Sequence, residues 1–308
     1  MSAAEKLYKT LRNGRSWHGG EHEWSLPTQG ADETWTPGEW TPRVTPRVCS
    51  EGWHLTTEPA RWWSADEGVA CYLAEHDGAV SRSEGEDKIA CERVRLLRPL
   101  TEDELAAVGI YTRGEHKVSS GSAWASGSAT VEAWDSATVR ASGSATVEAS
   151  GSAAVEASGS ATVRASGSAT VRASGSATVE AWDSATVEAS GSATVRASGS
   201  ATVEAWGSAT VGAWDSATVE AWDSATVEAW DSATVEAWGS AKAHAGGRST
   251  CIAWRGTTLV LTRSDAGVIV DRRGAAPKTY TKRAGLDGWR FRGGKWVHVK
   301  VRAKAGAP

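Results

Sequence analysis

The octapeptide A-[S/W]-[G/D]-S-A-T-V-[E/R] constrains this chain more than any other feature: its valine falls at Val131, Val139, Val147 and every eighth residue to Val235, fourteen copies in all. A helix repeats every 3.6 residues and would smear an eight-residue pattern around its circumference. A strand repeats every two, so an even period keeps each residue type on one side. Ala129, Val131 and Ala133 then form an apolar inner row, and Ser128, Thr130 and Glu132 a polar outer row. The "SG", "WD" or "WG" pair between rows marks a corner. One octad spans too little backbone to close a coil, but two octads can, giving two short strands and two corners per 16 residues. Seven such coils stacked in register at a spacing of about 4.8 Å make a rod of roughly 34 Å. A three-sided coil of 24 residues is the alternative geometry. A disordered Ala/Ser/Gly linker is disfavoured, because a strict valine period serves no purpose in a random coil.

The corner position alternates between serine and tryptophan. On a 16-residue coil Trp206, Trp222 and Trp238 share one column, while Trp214 and Trp230 share the opposite one, with Trp182 and Trp134 further along it. Rings so spaced can stack in an offset manner and reinforce a thin rod, or be presented as an aromatic strip to a partner. The outer Glu/Arg position alternates in sign only in the first half of the rod. Later it becomes an acidic ridge, with Glu204, Glu220 and Glu236 in one column beside Asp215, Asp223 and Asp231. Like charges stacked in register repel, and that field draws in a cation or a basic partner. The candidate binding residues are therefore Trp206, Trp214, Trp222, Trp230, Trp238, Glu204, Glu220 and Glu236.

Charge separates the chain into three parts. Residues 1–124 carry 14 basic and 20 acidic groups, residues 125–240 carry four and 14, and residues 241–308 carry 15 and three. The expected organisation is an amino-terminal α+β cap over 1–116, the solenoid over 117–246 and a small basic β domain over 247–308, so the fold class is mainly β. In the head, "VACYLAEHDGAV" and "DKIACERVRLLRPL" read as strands, and "TEDELAAVGI" as a short helix opened by Thr101. "TQGADETWTPGEWTPRVTPRV" reads as loop. No apolar run of about 18 residues occurs, so no membrane partner is expected. Cys49, Cys71, Cys91 and Cys251 are scattered without a CxxC pair, which fits reduced thiols and a cytoplasmic protein.

The 16-residue pair of octads resembles the repeat region of bacterial ice-nucleation proteins, which implies a β-solenoid and an ice-binding alternative. This chain departs from that family in writing S-x-T where those proteins write T-x-T, and in interrupting the hydroxyl array with Glu or Arg. "LYKTLRNGRSWHGGEHEWSLP", "CSEGWHLTTEPARWW" and "DKIACERVRLL" resemble the amino-terminal domain of an uncharacterised family of phage and actinobacterial proteins that carry octapeptide repeats. "GWHLTTEPARWW" is also similar to a segment of some ADP-ribosyltransferase-like domains. That resemblance implies a nicotinamide pocket lined by Tyr8, His54 and Thr56, but the family's later catalytic glutamate has no counterpart here.

Other chemistry is sparse. His18, Glu21 and His22 in "HGGEH", with Cys49 and His54, form a weak metal-site candidate, since two glycines spoil the helix that the spacing needs. "GWRFRGGKW" interleaves Arg, Lys and Trp as nucleic-acid binders do, and nucleic acid is a partner only through this basic end. No nucleophilic triad, phosphate loop or paired-carboxylate motif is visible, and no cofactor is expected. The sequence therefore points to a non-enzymatic structural or interaction protein, binding a protein partner or itself.

Overall fold

The computed structural model describes residues 5–16, 22–48, 50–64, 68–82, 87–254, 257–261, 268–272, 278–281, 289–292 and 295–298. They fall into two compact units, residues 1–112 with 122–126, and residues 113–121 with 127–308. His18, Glu21 and Cys49 of the metal-site candidate lie outside the described residues, as does part of "GWRFRGGKW".

In the first unit the strand Leu7–Arg12 pairs antiparallel with both Trp53–Thr56 and Val69–Arg82. Both of those strands also pair antiparallel with Lys88–Pro99, so the four close into a ring. Alternation along the strands sends Leu7, Leu11, Leu55, Ile89, Val94 and Leu96 into one buried cluster with Trp24. Tyr8 and Cys71 enter another with Ala60, Trp63 and Ile110. The predicted helix forms over Glu102–Ala107, and Thr101 and Glu104 make a reciprocal capping box at its start. The Pro- and Gly-punctuated loop is largely irregular, apart from a two-residue pairing of Thr28–Gln29 with Trp35–Thr36. Its backbone lies along Lys88–Pro99, with the N–H groups of Gly38, Thr41 and Val44 donating to the carbonyls of Leu96, Val94 and Glu92 at 2.9, 2.9 and 3.0 Å.

The second unit is a β-solenoid of about nine turns. Val131 is in register with Val147, and Val139 with Val155, so each coil holds two octads and the 24-residue coil is ruled out. One parallel sheet runs from Glu115–Val118 through Thr130–Ala133 to Thr258–Leu261. The other runs from Thr138–Ala141 through Thr250–Ala253 to Val268–Asp271. The inner row is closed to solvent, with Ala129, Val131, Ala145 and Val147 each 0% exposed. Each valine so buried contributes about 1.5–3 kcal/mol, enough in sum to hold a core only two side chains thick.

The corners are bonded as regularly as the strands. At one of them the N–H groups of Trp206, Ser208 and Thr210 donate to the carbonyls of Ala189, Gly191 and Ala193, one coil back, at 2.9, 2.8 and 2.9 Å. The corner itself is a four-residue turn closed by the Ala209 N–H on the Trp206 carbonyl at 3.3 Å. Its second residue is left-handed, φ 65° at Gly207 and 55° at Asp215, which is why only Gly and Asp are written there.

The ladder continues past Gly246. Thr250–Ala253 pairs in parallel with Thr234–Ala237, Cys251 taking the valine place opposite Val235. That sheet ends when Lys278–Thr281 joins Val268–Asp271 antiparallel. The hairpin of Trp289–Arg292 with Lys295–His298 lies beside Thr258–Leu261, the last strand of the other sheet.

A candidate interaction strip on the solenoid

Corner chemistry changes along the rod. In the early coils one corner column holds serines, and the hydroxyls of Ser158, Ser174 and Ser190 donate to the carbonyls of Ala141, Ala157 and Ala173 at 3.4, 3.3 and 3.3 Å. From Trp206 the same column becomes aromatic. Trp206, Trp222 and Trp238 stack with centroids 5.2 and 5.1 Å apart and planes within 9°. Trp254 extends the series at 6.1 Å. Each stacked pair adds about 0.5–1.5 kcal/mol beyond the area it buries. Trp254 belongs to no intact octad, and the signal for it was the 16-residue step from Trp238 combined with the small inner residues Ser249, Cys251 and Ala253.

The opposite column is built differently. A methyl group on Gly212 would meet the Trp214 ring at 2.4 Å, and one on Gly246 would meet the Trp230 ring at 2.4 Å. These two indoles lie over bare backbone. That accounts for the glycine at position 212, where the other octads carry Glu or Arg. Trp182 and Trp230 are among the most exposed large apolar side chains described.

The outer charged row also divides. In the first coils opposite charges meet across the ladder: Arg140 with Glu156 at 2.9 Å, Arg164 with Glu148 at 3.1 Å, Arg172 with Glu188 at 3.0 Å and Arg196 with Glu180 at 3.3 Å. Solvent-exposed pairs of this kind contribute about 0–1 kcal/mol each. Beyond Glu188 the row becomes Glu204, Glu220 and Glu236, each in register with the next. Glu204 and Glu220 make no ion pair among the described residues. Glu236 accepts a hydrogen bond from the indole N–H of Trp254 at 3.3 Å. Two positions further along each strand stands the ladder Trp206, Trp222 and Trp238, so carboxylates and indoles run side by side. At the end of the ladder the Arg272 guanidinium lies 5.2 Å over the Trp254 ring.

The head residues singled out by sequence do come together. Tyr8 is paired directly with Thr56, and alternation puts His54 on the same face. Packing and hydrogen bonding engage these residues. Tyr8 is buried against Ala60 and Trp63. The Thr56 hydroxyl donates to Asp87 at 2.7 Å, and the Trp62 indole donates to the same carboxylate at 2.6 Å. Burial, then the nearby Lys9 and Lys88 charges, hold the half-buried His54 imidazole below its usual pKa. Lys9 donates to the His54 carbonyl at 3.2 Å, and burial pulls its ammonium down to about 8. No group of three His, Cys, Asp or Glu side chains able to hold a metal occurs among the described residues.

Cys71, Cys91 and Cys251 are free, buried thiols, which burial pushes up to about 12, 11 and 12. No helix among the described residues is long and apolar enough to cross a membrane. No family model, curated protein or solved structure matches the chain, so its family resemblances rest on the quoted segments alone.

Proposed function

We propose that this chain is a non-enzymatic structural and interaction protein, a rigid solenoid rod whose later coils offer an acidic, tryptophan-lined strip to a basic protein partner. The observation that carries this reading is Arg272. Its guanidinium rests on the last ring of the ladder, and that ring is hydrogen-bonded to Glu236. One and two coils back the same strip repeats the indole and carboxylate of this contact as Trp238 with Glu220 and Trp222 with Glu204, and the ladder ends at Trp206, whose far side faces the coil of Ser190. Residues 241–308 carry 15 basic and three acidic groups, so the tail of a second copy is itself a suitable partner. Free thiols at Cys71, Cys91 and Cys251 suit a reducing, cytoplasmic setting. Sedimentation of the intact protein tests the reading. Association should be present at low salt and weaken towards about 1 M, where the screening length falls to about 3 Å. Association that is absent, or indifferent to salt, overturns it.

The threonine ladders favour a second reading. Thr130, Thr146 and Thr162 stand in register along one sheet, the arrangement an ice-binding face requires. The adjoining Glu/Arg row breaks the flatness of that face. Thermal hysteresis that is lost on Thr130→Lys, Thr146→Lys and Thr162→Lys together would establish ice binding, and freezing unaffected by the intact protein would remove it.

A further inference from the structure

Where Ser replaces Trp between two tryptophans of one column, the ladder lacks a rung. This happens at Ser198, one coil from Trp182 and one coil from Trp214. The gap is a cavity of about 190 Å³ lined by Glu180, Trp182, Arg196, Ala197, Ser198 and Trp214. Paired strands step by about 4.8 Å, so Trp182 and Trp214 spring from strands two steps apart, and Ser198 leaves the intervening step open to one flat ring.

The charge of the occupant follows from the surroundings. Asp183 and Asp215 follow the two wall indoles in sequence, and each accepts a backbone N–H from the coil before it, Gly167 at 3.2 Å and Gly199 at 3.1 Å. Arg196 is already held by Glu180 at 3.3 Å. The repeat as a whole, residues 125–240, has four arginines against 14 carboxylates. Such a field repels anions and concentrates cations. A second gap, at Ser150 and Ser166 between Trp134 and Trp182, lacks two rungs and encloses about 280 Å³, too long for one ring to touch both walls.

We propose that the Ser198 gap is a binding slot for a planar aromatic cation, which enters the solenoid as its missing rung. The slot is separate from the acidic strip of the opposite corner, so either can fail without the other. The repeat itself supplies fold-neutral variants, because Trp and Ser both occur at this corner: Ser198→Trp fills the slot and Trp214→Ser removes a wall. The experiment uses the full chain labelled with 5-fluorotryptophan, titrated with proflavine and followed by fluorine NMR, with single Trp→Ser variants assigning the resonances. The Trp182 and Trp214 signals should shift together and saturate, and Ser198→Trp should abolish both shifts. Trp214→Ser should weaken binding about three- to tenfold, the loss of one stacking face. Ser158→Trp, which adds an indole to the other column, should leave binding unchanged. Shifts that survive Ser198→Trp, or that appear first at Trp206, Trp222 or Trp238, overturn the slot. Equal binding of anthracene-9-carboxylate, an anion of similar shape, overturns the assignment to cations.

Discussion

The corner residue shows how one position can satisfy two demands. Its backbone must be left-handed, which favours glycine, yet Asp135, Asp183, Asp215, Asp223 and Asp231 occupy it with φ of 52 to 55°. Aspartate tolerates this conformation better than other side chains, and at Asp215 the carboxylate also accepts the Gly199 N–H of the preceding coil at 3.1 Å. Asp215→Gly should therefore cost less than about 1 kcal/mol, the net worth of one hydrogen bond. Asp215→Ala loses the bond and adds left-handed strain, and should cost about 1–3 kcal/mol. Urea unfolding of the two variants decides; equal losses would mean that backbone strain is not what selects this residue. The inner and outer rows were fully legible in the sequence, because alternation with an even period leaves no freedom. The placement of the Trp214 and Trp230 rings was not, since it depends on the empty space above Gly212 and Gly246 rather than on any periodicity.

At the scale of elements, the same logic separates what a pattern can and cannot announce. The strand–turn–strand octad announces itself fourteen times. Trp254 and the coil around it were hidden, because Lys242, His244, Cys251 and Ile252 break the motif while the small inner row persists. The head carries no repeat, and its closed four-strand ring depends on pairings between strands up to 67 residues apart, as Leu7 with Ala74, which no local signal encodes. The helix Glu102–Ala107 was legible from its cap. Glu104, bonded twice by Arg98 at 2.6 Å and once by the Thr101 N–H at 3.0 Å, has its carboxyl held down from 4.5 to about 2, chiefly by Arg98 and against the opposing effect of burial. A depressed carboxylate stabilises the folded state above its unfolded pKa and loses that contribution as pH falls through the folded value. The head of the intact protein should thus lose stability between about pH 4.5 and pH 2, and Glu104→Gln should flatten that part of the profile. Hydrogen exchange across Glu102–Ala107 measures it, and an unchanged slope in the variant would assign the acid sensitivity elsewhere.

At the scale of the molecule, a stack of parallel strands must end, and open sheet edges are templates for aggregation. Lys278–Thr281 closes one sheet antiparallel, and a hairpin lies beside the final strand of the other. We expect a chain truncated after Gly246 to form fibres or aggregates, seen by light scattering, because Thr234–Ala237 and Lys242–Ala245 would become bare edges. A soluble monomer would show that the tail is no cap, and a salt-dependent shift of labelled DNA or RNA by the intact protein would then assign it to nucleic acid. We expect the acidic tryptophan strip, and not net charge, to draw the basic partner. This is tested most directly by sedimentation velocity at low salt on two triple variants of equal charge. Glu204→Lys, Glu220→Lys and Glu236→Lys together should abolish self-association, whereas Glu132→Lys, Glu148→Lys and Glu156→Lys together, placed among the ion-paired coils, should largely retain it. Equal behaviour of the two variants would contradict the account.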